Sequence, residues 1–270
     1  MQNQLNNIEL SAGTITMRRL LIVPIVMLIN TVYGGTNMPH TTIVAFGDST
    51  TAPRGTLVVY ATLLEQRLAQ EGIAGRVINA GAGGQTTAMG RSRFERDVLD
   101  HKPRIVIIQF GINDAAVDVW AKPPKTEPRL AIGKYEANLR FFIASIRGQG
   151  GDVILMTPNP IFWTPAIRER YGKPPYEPDA PEGFNVLLKN YTAIVRKVAA
   201  DTKTQLVDVD QAYRTYLAEP GHQPKDWLLD GMHPNTKGQQ QVADMLWPVA
   251  ANILKTVVSV HGTLKLETGN

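Results

Sequence analysis

Thr42-Ile43-Val44-Ala45-Phe46-Gly47-Asp48-Ser49-Thr50-Thr51 passes without a break from β-branched and apolar residues into a small-residue turn rich in hydroxyls. The first half suits a buried strand, and Gly47-Asp48 ends it. Ser49 is thereby delivered to the carboxyl edge of a sheet, where open α/β sheets bind their ligands. A lone Gly-Asp-Ser is also what an ordinary strand-to-loop turn contains. Its weight depends on what the later stretches bring to the same edge.

Outward from this strand, apolar residues recur on a helical period from Val58 to Gln70, including Leu63, Leu64 and Leu68, and Glu71-Gly72 closes the helix. A short strand, Arg76 to Asn79, feeds the loop Ala80-Gly81-Ala82-Gly83-Gly84-Gln85-Thr86-Thr87. Its glycines permit backbone conformations that turn N–H groups toward a ligand. A helix from Met89 to Leu99 and the break Lys102-Pro103 precede the most apolar strand, Arg104 to Gln109, which ends in Phe110-Gly111-Ile112-Asn113-Asp114. The proline-spaced segment Lys122 to Pro128 leads to a helix over Ile132 to Arg147, with Leu139, Phe142, Ile143 and Ile146 on one face. A strand follows at Asp152 to Met156. Thr157 to Pro181, rich in proline and aromatics, reads as a long binding loop. Asn185 to Ala200 reads as helix, Gln205 to Val209 as strand, Ala212 to Leu217 as a short helix and Thr236 to Leu254 as the last helix. This alternation predicts an α/β fold in which a five-stranded parallel sheet, ordered 2-1-3-4-5, carries helices on both faces.

The length of 270 residues suits one α/β domain, expected over 35–258, and 43% hydrophobic with 19% charged residues is ordinary for a globular chain. The formal charge of +4 is not gathered into a basic run, which argues against a nucleic-acid partner. The chain has no cysteine, so disulfides, Cys-ligated metals and a cysteine nucleophile are excluded. Met17-Arg18-Arg19, the apolar Leu20 to Ile29 interrupted by Pro24, and Val32-Tyr33-Gly34 follow the basic, apolar, small order of a secretory leader. The apolar part is short for a membrane span. Residues 1–34 are therefore expected to be a signal region, with Met17 a candidate start, giving a secreted or periplasmic protein without stable membrane insertion. Residues 259–270 read as a mobile tail.

Serine is a poor nucleophile unless a base takes its proton, and that base must be held in one tautomer. Of the five histidines, His40 and His261 flank the fold, His101 falls on the far side of the sheet and His222 has no acidic neighbour at a useful spacing. His233 has Asp230 three residues before it, across Gly231, a spacing that lets a tight turn bring the carboxylate to the ring. Asn113 offers a carboxamide N–H at the end of the central strand, a donor suited to the negative oxygen of an attacked ester carbonyl, although Asn also caps loops. The glycine loop can add a backbone donor. Phe162, Trp163, Tyr171, Tyr176 and Trp227 offer flat faces that stack on sugar rings or merely cover the sheet edge.

Taken together, Gly47-Asp48-Ser49, Asn79-Ala80-Gly81-Ala82-Gly83-Gly84, Gly111-Ile112-Asn113-Asp114 and Asp230-Gly231-Met232-His233 resemble, in order, the four sequence blocks of the SGNH (GDSL-like) hydrolase superfamily. The resemblance spans Thr41 to Ile253. It implies a three-layer flavodoxin-like fold and ester hydrolysis through an acyl-enzyme, with Ser49 as nucleophile, His233 as general base and then acid, and Asp230 as the orienting carboxylate. The oxyanion hole it implies comprises the N–H of Ser49, the N–H of Gly84, with Gly83 as the alternative, and the side chain of Asn113. No cofactor and no metal are implied. Thr50, where many members have leucine, resembles the Gly-Asp-Ser-Thr of carbohydrate acetylesterases such as rhamnogalacturonan acetylesterase. The expected substrate is thus an acylated carbohydrate, with Trp163, Phe162 and Trp227 as candidate binding residues. A lipid or aryl ester is the second expectation, and a secreted, non-catalytic carbohydrate-binding protein on the same scaffold is the alternative from another class.

Overall fold

The computed structural model describes residues 41–267, with side chains to residue 255. The expected leader over residues 1–34 lies outside the described residues, as do residues 268–270. Five strands, β1 (Thr41–Gly47), β2 (Gly75–Gly81), β3 (Ile105–Gln109), β4 (Asp152–Met156) and β5 (Gln205–Val207), form one sheet in the order β2-β1-β3-β4-β5, every pair parallel. The helices are α1 (Tyr60–Gln70), α2 (Thr87–Asp97), α3 (Ile112–Ala115), α4 (Ile132–Gly148), α5 (Pro165–Tyr171), α6 (Asn185–Thr202), α7 (Val209–Ala218) and α8 (Thr236–Glu267). This is the doubly wound, flavodoxin-like order that the alternating pattern predicts.

In the three inner strands the side chains alternate between two faces, and both are buried. Val44, Phe46, Val106, Ile108, Val153 and Leu155 join one apolar cluster with residues of α2, α4 and α6. Ile43, Ala45, Ile105, Ile107, Ile154 and Met156 join a second with α1, α7 and α8. Phe46 lies at the heart of the first, fully buried, its ring centroid 5.6 Å from Phe94, 5.0 Å from Phe110 and 5.4 Å from Phe142.

At three departures from expectation a local cap accounts for the change. Asp208 accepts the N–H of Gln211 at 3.0 Å, so α7 starts at Val209, where strand was expected. The segment expected as an unbroken loop over Thr157 to Pro181 contains α5, because Thr164 caps it by accepting the N–H of Ile167 at 3.3 Å and Pro165 presets its first turn. Thr86 likewise starts α2 two residues early. The last helix continues past Leu254 to Glu267.

The Asp114 carboxyl is sealed into this core beside the carboxyl edge. Asp114 Oδ1 accepts the N–H of Thr87 at 2.8 Å and its hydroxyl at 2.6 Å, tying α3 to the first residue of α2, while Oδ2 has no partner. Burial pushes the Asp114 carboxyl up to about 6, against the pull of the two bonds from Thr87.

Two expectations follow. Replacing Phe46 by Ala leaves a cavity among three rings and lowers unfolding stability by about 3–5 kcal/mol, readable from denaturant midpoints. For Asp114, the ordinary value is 3.8 and the folded value is higher, so between these pH values the folded chain binds more protons than the unfolded one. Its contribution to stability therefore falls as pH rises from about 4 to about 6. Asp114→Asn removes that ionisation, and as pH rises across this window its melting temperature falls less, or rises more, than that of the wild type in calorimetry. An equal or steeper fall in the variant contradicts the assignment.

Candidate active site

Gly47 pairs with Gly81 on one side and with Gln109 on the other, so three strands end side by side. The turn that follows β1 is built on Asp48. Its N–H donates to Gln109 O at 3.3 Å, its carbonyl accepts from Thr51 and Ala52, and its Oδ1 accepts the N–H and the hydroxyl of Thr50 at 2.9 and 2.8 Å. Such an Asx turn is what a short acidic side chain favours after a strand. Burial pushes the Asp48 carboxyl up, and the bonds from Thr50, together with nearby His233 and Asn113, pull it the other way. Thr50 is itself buried, and its hydroxyl oxygen also lies 2.8 Å from Gln109 Oε1, so its single proton sits between two acceptors and this threonine shapes the floor of the turn. Ser49, between the two, is left half-buried.

His233 Nε2 lies 3.0 Å from Ser49 Oγ, and His233 Nδ1 lies 2.7 Å from Asp230 Oδ2. A carboxylate can only accept, so Nδ1 carries the proton and Nε2 offers its lone pair to the serine hydroxyl. Asp230 Oδ1 also accepts the backbone N–H of Met232 at 3.0 Å and of His233 at 2.8 Å. Burial opposes the charged form of Asp230, but these bonds outweigh it and hold the carboxyl well below the usual range. The turn needs glycine at 231: φ is +86°, and a Cβ there would meet Phe162 O at 2.4 Å. Gly231 O in turn accepts the N–H of Phe162 at 2.8 Å, and Asn159 donates to Met232 O at 2.8 Å. The imidazole is thus held by the segment between β4 and α5.

The other two blocks arrive from β2 and β3. Ala82 N donates to Gly47 O at 3.1 Å, which sets the glycine loop against the Ser49 turn, and Asn79 braces it by donating to Thr51 O at 2.8 Å. Gly84 is exposed, with φ +72° and no atom within 4 Å of where a Cβ would stand. Asn113 is buried on α3, its Nδ2 3.4 Å from Asp48 Oδ2 and its Oδ1 accepting from Arg129 Nη1 at 3.0 Å. Arg129, Asn159 and Gln109 are the residues here that sequence reading missed. Arg129 stands at the end of the proline-spaced segment, a position with no signal of its own.

The candidate sugar-binding aromatics are engaged in packing. Trp163 is half-buried, donates to Ala180 O at 2.9 Å and meets Phe184 edge to face. Tyr171 and Tyr176 are buried. Phe162 packs partly buried beside the sheet, and Trp227 stacks on Tyr216 at 4.0 Å. Leu229 and Met89, which flank the Asp230 turn and the glycine loop in sequence, and Trp120, from the segment after Asn113, are exposed instead.

Known proteins share this arrangement of sequence and fold. The sequence profile of the GDSL-like lipase/acylhydrolase family matches residues 45–241. Esterase TesA of Pseudomonas aeruginosa is 27% identical over 79% of this chain and 89% of its own length. An acetylxylan esterase of Geobacillus stearothermophilus is 28% identical over 62% of this chain and 68% of its own. Among solved structures, LAE5, an alpha/beta hydrolase enzyme from the metagenome of Lake Arreo in Spain, superposes with a TM-score of 0.62 at 27% identity, covering 79% of this chain and 96% of LAE5. A profile that takes in all four motif blocks up to His233, on a sheet of the same order, leaves one assignment: the chain belongs to the GDSL-like lipase/acylhydrolase family and is an ester-hydrolysing serine hydrolase of the SGNH type.

Proposed function

We propose that this chain deacetylates carbohydrate esters through a Ser49–His233–Asp230 relay. The observation that carries the mechanism is the unbroken hydrogen-bonded line from Ser49 Oγ through both nitrogens of His233 to Asp230. Ser49 Oγ attacks the ester carbonyl carbon while His233 Nε2 takes the hydroxyl proton, and Asp230 steadies the imidazolium that results. The carbonyl oxygen becomes an anion, received by the N–H groups of Ser49 and Gly84 and by Asn113 Nδ2. Collapse passes the proton from His233 to the departing alcohol and leaves Ser49 acylated. Water, deprotonated by the same imidazole, then frees the acid.

Support for a bulky, polar alcohol comes from the openness of the rim. Asp230 is half-exposed at 50% and Gly84 is exposed, so a residue within a polymer can reach the serine from solution. The relative named acetylxylan esterase points the same way, as does the leader expected over residues 1–34, which fits a protein acting outside the cytoplasm.

Hydrolysis of p-nitrophenyl acetate tests the relay. Ser49→Ala is expected to lower kcat on the order of 10³-fold or more, His233→Ala by a comparable factor, and Asp230→Asn by less, since the base remains. A chelator is expected to leave the wild-type rate unchanged. Activity that survives Ser49→Ala rejects the mechanism, and loss on chelation favours metal-assisted hydrolysis. For the substrate, acetylated oligosaccharides are set against p-nitrophenyl esters of rising chain length. We expect acetyl to be preferred over octanoyl by about tenfold or more in kcat/KM, and an octanoyl preference turns the reading toward lipid esters. Gly231→Ala, which strains the turn beneath His233, is expected to lower kcat while Ser49 and its strand stay in place, a combination checked by rate and by circular dichroism.

A further inference from the structure

The two ends of a carboxamide do opposite work: nitrogen donates and oxygen accepts, and only the nitrogen can receive an anionic oxygen. Around Asn113 the neighbours decide which end faces which way. Arg129 Nη1 donates to Oδ1 at 3.0 Å, and a guanidinium has no acceptor to offer the other end. Turned over, the amide would set its NH2 against the Arg129 cation and its oxygen against the Asp48 carboxyl. In the observed orientation Nδ2 lies 3.4 Å from Asp48 Oδ2, a long contact that engages at most one of its two hydrogens and leaves a donor for a better acceptor.

Arg129 is itself locked. Its Nε lies 3.1 Å from both carboxylate oxygens of Asp118, and Nη2 donates to Oδ1 at 2.6 Å. The two side chains are only 25% and 23% exposed. The segment that carries them closes on itself, with Arg129 N donating to Ala116 O at 2.9 Å, Leu130 N to Asp114 O at 3.1 Å and Lys125 N to Asp118 O at 3.2 Å. Tyr176 anchors it from outside by accepting the N–H of Val117 at 2.8 Å. A loop pinned at its neck and within its body holds a long side chain at one point.

We propose that Arg129 is the positioning residue of the oxyanion site: it fixes the Asn113 carboxamide with Nδ2 toward the reacting carbonyl, and its charge polarises that N–H as a donor. The assignment rests on Asn113 acting as an oxyanion donor. Arg129 itself acts through Asn113, and Asp118 acts through Arg129.

A double-mutant cycle on p-nitrophenyl acetate hydrolysis by the full chain separates the two layers of this argument. Asn113→Ala is expected to lower kcat about 10²-fold, the scale of one lost oxyanion donor. Arg129→Met is expected to lower kcat by about tenfold or more with KM within about twofold, because the lost interaction belongs to the transition state. In the Asn113→Ala background the same change is expected to alter kcat by less than about threefold. Arg129→Lys, which keeps the charge and a donor group but not the forked geometry, restores part of the loss. Should Arg129→Met fail to fold in a thermal melt, Arg129→Lys and Asp118→Asn carry the same cycle. A wild-type kcat in the Arg129 variants, or an undiminished effect without Asn113, overturns the role of Arg129. An unchanged kcat in Asn113→Ala overturns the oxyanion reading on which it rests.

Discussion

Parallel pairing in one register is the constraint on which everything else in this molecule depends. With Gly47 opposite both Gly81 and Gln109, the chain leaves three neighbouring strands at the same height and on the same side. Each exit is a loop free to hold polar groups, while β1 and β3 beneath are sealed on both faces by apolar side chains. A slip of β2 or β3 by one residue would carry its loop about 3.3 Å along the strand, enough to break the hydrogen bonds that now tie the loops together. The register is fixed in turn by packing, because a one-residue slip exchanges the two faces of a strand and presents each apolar cluster with side chains shaped for the other.

The polar groups gathered at this edge hold one another as much as they hold Ser49. Asp48 anchors the serine turn, touches Asn113 and lies close to His233. Asp114 joins α3 to the start of α2, and Arg129 spans from Asn113 to Asp118. Buried carboxyls left without such donors would be costly, and here the donors come from loops that the fold must in any case bring to this edge.

The sequence announces the parts of this arrangement whose cause is local. Alternation of apolar strands and helical stretches is enough for the sheet order, and Asp230 reaches His233 within one turn. The meeting of Ser49 with His233, 184 residues apart, is legible only because both follow from strand ends and helix starts on one edge. Arg129 was not legible, since its bond to Asn113 arises from a returning loop whose path no periodicity encodes. From composition, the aromatics of residues 162–176 read equally as a sugar platform or as a cover for the sheet edge. Their rings proved to be largely covered because α5, signalled by Thr164-Pro165, folds that segment down onto the core.

Ser49 and His233 are supported in very different ways. The serine rides on the middle of the sheet, while the imidazole stands on an irregular stretch that is bonded mainly to another irregular stretch. Irregular segments held by isolated hydrogen bonds open at a smaller free-energy cost than strands paired on both sides at the centre of a core. On warming, the hydrogen bonds that seat the base are therefore expected to loosen before the central strands part, so that heat silences this catalyst before it unravels it.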